Sequence, residues 1–430
     1  MSIKQFGQKI FSIKSDKKYK IITIFWIKFK FKLKYNNITK KCLLNYKKTI
    51  ERIRNKVKRN EPIRVLFFVM EKEKWGYQEL YNKLLDDPIF EPIVVVSCVV
   101  DANMELKPER DTIEDNISFF KKMGINAISC MGNKEHIDLL KFKPDIIFYQ
   151  QQWYIPDLYS PKRMSKYSLC CYCSYSIAAS KTASIRKPDF FYSLWRYFLA
   201  HKCMKEEYLE WMKYNKNSLV VTGHPKLDVY KNYSENDING SKHYVIYAPH
   251  FSVGKSILSF STFDWSGHFM LEYAKKHPEI NWVFKPHPRL RSFFLEKNIM
   301  SEEELNNYFE EWSKVGLVYI DGGYFDIFKN SDAMITDCGS FCVEYFFSGK
   351  PLLHLISENS KPHSALNRRV NKNHYSIFNK ETLEKYLDEI VIRKNDFLKE
   401  VRLNAKKEIF GEKQDSAENI LKYIKKELDI

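Results

Sequence analysis

Between residues 285 and 289 the chain reads Lys-Pro-His-Pro-Arg, three potential cations in five positions, directly after the short apolar run Trp282-Val-Phe284. The two prolines cannot continue a helix or donate ladder hydrogen bonds, so the chain must leave its sheet there. Lys285, His287 and Arg289 are therefore expected at the carboxyl end of a strand, where ligands sit in open α/β sheets. Together they suit a diphosphate. A capped strand end with solvated charges would use the same residues.

A second segment runs Ser331-Asp-Ala-Met-Ile-Thr-Asp-Cys-Gly-Ser340, then Phe341-Cys-Val-Glu344 and Gly349-Lys-Pro351. A strand should end at Asp337 and a helix begin near Ser340, with Gly339 permitting a close approach. The free amides and dipole of a helix N-terminus favour phosphate. Glu344, one turn on and on the face of Ser340, could accept hydrogen bonds from a ribose. The plainer reading is that Asp337 and Ser340 cap the helix. A third segment, Tyr247-Ala-Pro-His250, again ends a strand, and an imidazole with an ordinary pKa near 6.5 suits a general base. A structural histidine fits His250 as well.

Other clusters carry less. Gly223-His-Pro-Lys-Leu-Asp228 reads as a turn that fixes a linker. Cys170-Cys-Tyr-Cys173 has neither a paired CxxC nor a histidine at zinc spacing, so buried strand cysteines are expected. No metal site and no cofactor are expected. The chain has no GxGxxG, GxxxxGK[ST] or GxSxG, which disfavours dinucleotide enzymes, P-loop NTPases and serine hydrolases.

These segments need elements to hold them. Arg64–Met70, Ile93–Val100, Ala127–Ser129 and Asp145–Tyr149 are strand-like apolar runs, and helical spacing lies between them. Continuous apolar strands alternating with helices indicate parallel sheets covered on both faces. A polar stretch over 229–243 interrupts the pattern, which restarts with strands at Tyr244–Ala248, Trp282–Phe284, Leu317–Ile320, Ala333–Thr336 and Leu352–Leu355. The expected division is a domain over 61–228 that takes the acceptor, a linker over 229–243, and a domain over 244–430 that binds the nucleotide donor and is closed by C-terminal helices. Two Rossmann-like α/β domains would face a cleft.

Residues 1–60 differ from the rest. The chain of 430 residues has 70 Lys and Arg against 53 Asp and Glu. Nineteen of the basic residues precede residue 61, opposed only by Asp16 and Glu51, so this arm accounts for the whole net charge of +17. Its longest apolar run, Ile21–Ile27, is far short of the about 20 residues needed to span a bilayer. Lys28, Lys30 and Lys32 alternate with Ile27, Phe29 and Phe31, and residues 41–60 have the spacing of a basic amphipathic helix. The arm suits peripheral attachment to anionic lipid on the inner face of a bacterial plasma membrane, in a cytoplasmic protein. A lysine-protected strand-like extension and a single-stranded nucleic-acid binder are the other readings, although no nucleic acid is expected as partner. Nine cysteines in a long chain do not suggest a disulfide framework.

Taken together, Tyr-Ala-Pro at 247–249, Lys-Pro-His-Pro at 285–288, Ser-Asp-x-x-Ile-Thr-Asp-x-x-Ser at 331–340 and Gly-Lys-Pro at 349–351 resemble the CDP-glycerol glycerophosphotransferases, teichoic-acid primases and polymerases of GT-B fold. The resemblance is good over roughly 220–360. It implies transfer of glycerol phosphate from CDP-glycerol to a membrane-linked glycan, with CMP released. It also implies that Lys285, His287 and Arg289 hold the pyrophosphate, Ser340 a phosphate and Glu344 the ribose. The family's His-Gly-x-Pro-Leu-Lys element, which carries its proposed base, is missing: the comparable stretch reads Cys170-Cys-Tyr-Cys-Ser-Tyr-Ser-Ile-Ala-Ala179. That departure marks a divergent branch.

Overall fold

The computed structural model describes residues 11–15, 19–24, 27–32, 34–97, 113–132, 135–177, 188–231, 243–255, 258–320, 323–411 and 415–430, with backbone alone before Tyr35 and over 132–136. The chain divides into two units: residues 1–175, 185–222 and 418–430 form one, and residues 176–184 and 223–417 form the other.

The first unit is built on a seven-stranded parallel sheet. Its strands run in the order Leu219–Val221, Arg196–Leu199, Leu169–Cys173, Ile146–Tyr149, Ile63–Val69, Phe90–Val96, Ile128–Ser129. Ile146–Tyr149 and Leu169–Cys173 are buried throughout, as strands covered on both faces must be. This buries the three cysteines of 170–173 as expected, and burial pushes the Cys170 thiol up to about 12. The strand order reverses direction between Ile63–Val69 and Ile146–Tyr149.

The expected boundary at residue 60 does not hold. Lys34–Lys58 is one helix of 25 residues, longer than the expected 41–60, and it packs into the first unit. Thr39, Cys42, Tyr46, Thr49 and Ile53 are buried. The Tyr46 hydroxyl donates to the Ser193 carbonyl, and the Tyr35 ring stacks on Tyr192 at 5.0 Å. On the next turns Arg52 and Lys56 each place a nitrogen 2.6 Å from the fully buried Asp145, which also accepts the Arg64 N–H at 2.9 Å. The helix therefore neutralises a carboxylate inside the sheet. Before it, Phe11–Ser15, Tyr19–Ile24 and Ile27–Lys32 form a separate antiparallel sheet in which Ile22 lies opposite both Ile13 and Phe29.

The far boundary moves too. Residues 418–430 belong to the first unit, because helix Ser416–Leu428 buries Ile420, Leu421, Ile424 and Leu428, and its Glu418 and Glu427 pair with Lys83 and Arg196. Of the linker expected over 229–243, residues 232–242 lie outside the described residues. Pro225–Tyr230 is a 3-10 turn held by Asp228, whose carboxylate accepts the Ser416 and Ala417 N–H groups at 2.9 and 2.7 Å.

Removing the partners of a buried carboxylate costs about 3–5 kcal/mol. A chain lacking residues 1–33 should keep its unfolding midpoint within a few degrees. One lacking residues 1–60 should lose it or fail to fold, and thermal denaturation of the two truncations checks this.

Candidate active site

The second unit carries a six-stranded parallel sheet in the order Gly316–Val318, Trp282–Phe284, Tyr244–Ala248, Ser331–Thr336, Leu352–Leu355, Tyr375–Ile377. Numbered along the chain this is 3-2-1-4-5-6, the doubly wound order, and the direction reverses between Tyr244–Ala248 and Ser331–Thr336. The three strand ends singled out from the sequence converge there. Lys285 N–H bonds the Tyr247 carbonyl at 2.8 Å and His287 N–H the Pro249 carbonyl at 3.0 Å, so the Lys-Pro-His-Pro turn lies against Ala-Pro-His.

His250, Phe251, His287 and Arg289 form one cluster. The two imidazole centroids are 4.9 Å apart, the Phe251 ring is 4.4 Å from His250 and 4.6 Å from His287, and the Arg289 guanidinium stands 4.7 Å over Phe251. Each histidine accepts the backbone N–H two residues on: Nδ1 of His250 from Ser252 at 3.2 Å, Nδ1 of His287 from Arg289 at 3.1 Å. A neutral ring whose Nδ1 accepts must carry its proton on Nε2. Burial, helped by nearby Arg289, pushes His250 down to about 3, so its ring is neutral at physiological pH. The role of general base expected for His250 is thereby corrected: its Nε2 presents a proton and no lone pair.

Asp337 is corrected from ligand contact to positioning group. Its side chain is buried, with Oδ1 taking the His250 N–H at 2.5 Å and Oδ2 the Thr262 N–H and hydroxyl at 2.7 and 3.0 Å. Both oxygens are spent on holding two loops. Burial pushes the carboxyl up to about 7 against the pull of those donors.

Glu344 is corrected in the same way. It is buried, with Lys226 Nζ 3.0 Å from one oxygen and the Tyr324 hydroxyl donating to the other. A pair this enclosed is not offered to a ribose. Lys226, which the sequence assigned to a linker turn, is one half of it. The Lys285 ammonium is buried 5.2 Å from the Tyr319 ring centre, 5.3 Å from Tyr324 and 6.0 Å from Phe341. Lys285 thus sits among aromatic rings, while His287 and Arg289 share the Phe251 ring.

Helix Gly339–Phe346 begins where expected. Among the described residues nothing accepts the Gly339 and Ser340 N–H groups. A Cβ at Gly339 would meet His363 at 3.4 Å and Phe260 at 3.5 Å, ordinary van der Waals contact, so the close approach expected of this glycine does not depend on its lacking a side chain. Two histidines missed in the sequence complete the site. The His363 ring stacks on Phe260 at 5.0 Å, Phe260 lies 5.6 Å from His250, and His354 lies 5.6 Å from His363. Four imidazoles thus follow one another along the carboxyl ends of the sheet. His354 lies within strand Leu352–Leu355, which the sequence does show; His363 sits in a patternless loop and gave no signal. The Nδ1 atoms of His354 and His363 have no hydrogen-bond partner among the described residues.

Buried neutral histidines make this unit acid-sensitive. Burial holds His250 and His354 at about 3 and His374 at about 4. Their stabilisation is complete above the unfolded value near 6.5 and is lost as pH falls from there towards the folded values, at up to about 1.4 kcal/mol per pH unit for each ring. Asp337 works in the opposite sense, since its raised value favours the folded state as pH drops below about 7. Three rings against one carboxyl predict a net fall in urea midpoint from pH 6.5 to 4.5. A flat or rising midpoint would contradict the burial of these rings.

Residues 176–365 match the family model of CDP-Glycerol:Poly(glycerophosphate) glycerophosphotransferase. No curated protein matches the sequence. Among solved structures, the chain is similar in fold to the wall teichoic acid polymerase TagF (12% identity, 90% of this chain and 98% of that one, TM-score 0.56). It is similar also to the UDP-GlcNAc 2-epimerases of Neisseria meningitidis (13%, 85% and 100%, TM-score 0.55) and Methanocaldococcus jannaschii (14%, 85% and 100%, TM-score 0.52). Two Rossmann-like units with the motifs at their expected strand ends thus go together with a match of residues 176–365 to the model of a transferase family, on a fold similar to that of TagF.

Proposed function

We propose that the protein transfers glycerol phosphate from CDP-glycerol to a hydroxyl of a membrane-linked surface glycan and releases CMP. The observation that carries this reading is the set of donors at the switch point: Nε2–H of His250 and His287, the Arg289 guanidinium, and the open Gly339 and Ser340 amides. The family match over 176–365 supports the donor. In the reaction the acceptor oxygen forms a bond to the phosphorus that bears glycerol, and the bond from that phosphorus to the bridging oxygen breaks. CMP departs with the bridging oxygen and its electron pair, and the acceptor's proton passes to solvent. Charge developing on CMP is what the imidazole, guanidinium and amide donors stabilise. A loose phosphoryl-transfer transition state asks little of a base, which suits a site whose central histidine cannot accept a proton.

A donor panel of CDP-glycerol, CDP-ribitol and UDP-sugars should give nucleotide release from CDP-glycerol foremost; release from a UDP-sugar alone would sink the proposal. Replacing His287→Ala should lower kcat/KM by about 10²–10³, the usual loss for one preorganised donor, and a wild-type rate of CMP release would remove His287 from the site. Because His250 stays neutral down to about 3, the kcat/KM profile should show no acid limb from it between about pH 5 and 8.

The arm is part of the same proposal, now narrowed to residues before the helix at Lys34. Nine lysines against Asp16 alone over 1–33 suit an anionic leaflet at about 1 kcal/mol each. Among the described residues no helix is long and apolar enough to cross a membrane. The full chain should sediment with phosphatidylglycerol vesicles but not with phosphatidylcholine vesicles, and deleting 1–33 should abolish this. Undiminished binding by the truncated chain would rule the tether out.

A further inference from the structure

The first sheet has a switch point of its own, and the residues gathered there have no part in the donor chemistry above. Ile63–Val69 and Ile146–Tyr149 are the adjacent strands at which the order reverses, and Leu169–Cys173 is next in line. Just past their carboxyl ends come Met70–Trp75, Gln150–Tyr154 and Tyr175. The Gln150 side chain accepts the Met70 and Glu71 N–H groups at 3.0 and 3.2 Å and donates to the Glu71 carbonyl at 2.7 Å, which extends the sheet by one side-chain rung. Gln151 donates to the Trp153 carbonyl at 3.0 Å and accepts from Lys74 Nζ at 2.8 Å. Lys74 also pairs with Glu71, and its ammonium lies 5.5 Å from the Trp153 ring centre and 5.1 Å from Tyr175. The two rings meet edge to face at 5.8 Å and 89°.

Trp153 is therefore held from several sides while its ring stays only half-buried. Among the described residues its indole N–H has no acceptor. The next residue, Tyr154, is exposed and sits at φ 58°, a left-handed conformation that is an outlier for a bulky side chain and clusters at ligand sites.

We infer that Trp153, Tyr175, Lys74 and Gln151 form a platform for a neutral pyranose ring, the sugar of the acceptor. The chemistry selects the class. An indole face offers apolar surface to sugar C–H groups, and amide and carboxylate groups beside it suit hydroxyls. The ammonium is already neutralised by Glu71, and Lys72 with Glu73, 3.9 Å apart, adds no net charge, so a phosphate gains nothing here. Perpendicular rings do not make the parallel plates that would sandwich a nucleobase. The assignment of this sugar as acceptor rests on the transfer reaction proposed above; the sugar site itself does not.

Saturation-transfer NMR on the full chain, with the methyl glycosides of glucose, galactose and N-acetylglucosamine and with glycerol 3-phosphate, tests it. A pyranoside response is expected, weakened about tenfold in Trp153→Ala, roughly the worth of one aromatic contact. Trp153→Phe should restore most of it, and the unfolding midpoint of each variant shows that the fold survives. No pyranoside response, a response untouched by Trp153→Ala and Tyr175→Ala alike, or stronger binding of glycerol 3-phosphate at these residues would each overturn the inference. Pyranoside binding without CMP release from CDP-glycerol would sink the transfer reaction and leave this site standing. CMP release without pyranoside binding would do the reverse.

Discussion

The carboxylate of Asp337 is the fixed point of the second unit's site. It lies at the end of strand Ser331–Thr336 and reaches two loops that have no sheet bonds of their own there, through the amide of His250 and the amide and hydroxyl of Thr262. Fixing the first sets the turn that carries His250, Phe251 and Ser252. Fixing the second starts helix Phe263–Lys276 and places Phe260, on which His363 stacks. Without the carboxylate three buried donors lose their acceptor, each at about 1–3 kcal/mol. A single strand-end residue thus sets the loop that carries His250 and the ring on which His363 stacks.

One local device recurs. His201, His224, His250 and His287 each accept through Nδ1 the N–H of the residue two further on, Cys203, Lys226, Ser252 and Arg289. The geometry is that of side-chain-capped turns and needs only a ring nitrogen within reach of the backbone. Its effect depends on place. At 201 and 224 it caps a short helix; at 250 and 287 it fixes the tautomer, so that Nε2–H is what a ligand at the switch point meets.

Much of this was legible before any coordinates. The strands Tyr244–Ala248, Trp282–Phe284 and Leu352–Leu355 stand where their apolar runs place them, and the prolines of 285–289 turn the chain out as stiffness demands. What the sequence misassigned are residues whose meaning depends on distant partners. Glu344 has the spacing of a ligand contact, yet Lys226, 118 positions away, takes its charge. Residues 34–58 have the charge of an arm, but Cys42, Tyr46 and Ile53 make one face of that helix core. The strands Arg196–Leu199, Leu219–Val221 and Tyr375–Ile377 escaped notice because three or four residues leave too little periodicity to detect.

The return of residues 418–430 to the first unit has a bearing on how the chain is made. Most of that unit is encoded by residue 222, but the helix that covers it comes 196 positions later. At about 5–20 residues per second, ribosomes need about 10–40 s to cross that interval. Throughout it the surface destined for Ile420, Leu421 and Ile424 lies open to solvent, and Arg196 and Lys83 wait for Glu427 and Glu418. The first unit thus emerges as an unfinished surface, exposed to chaperones and to sister chains, until helix Ser416–Leu428 closes it.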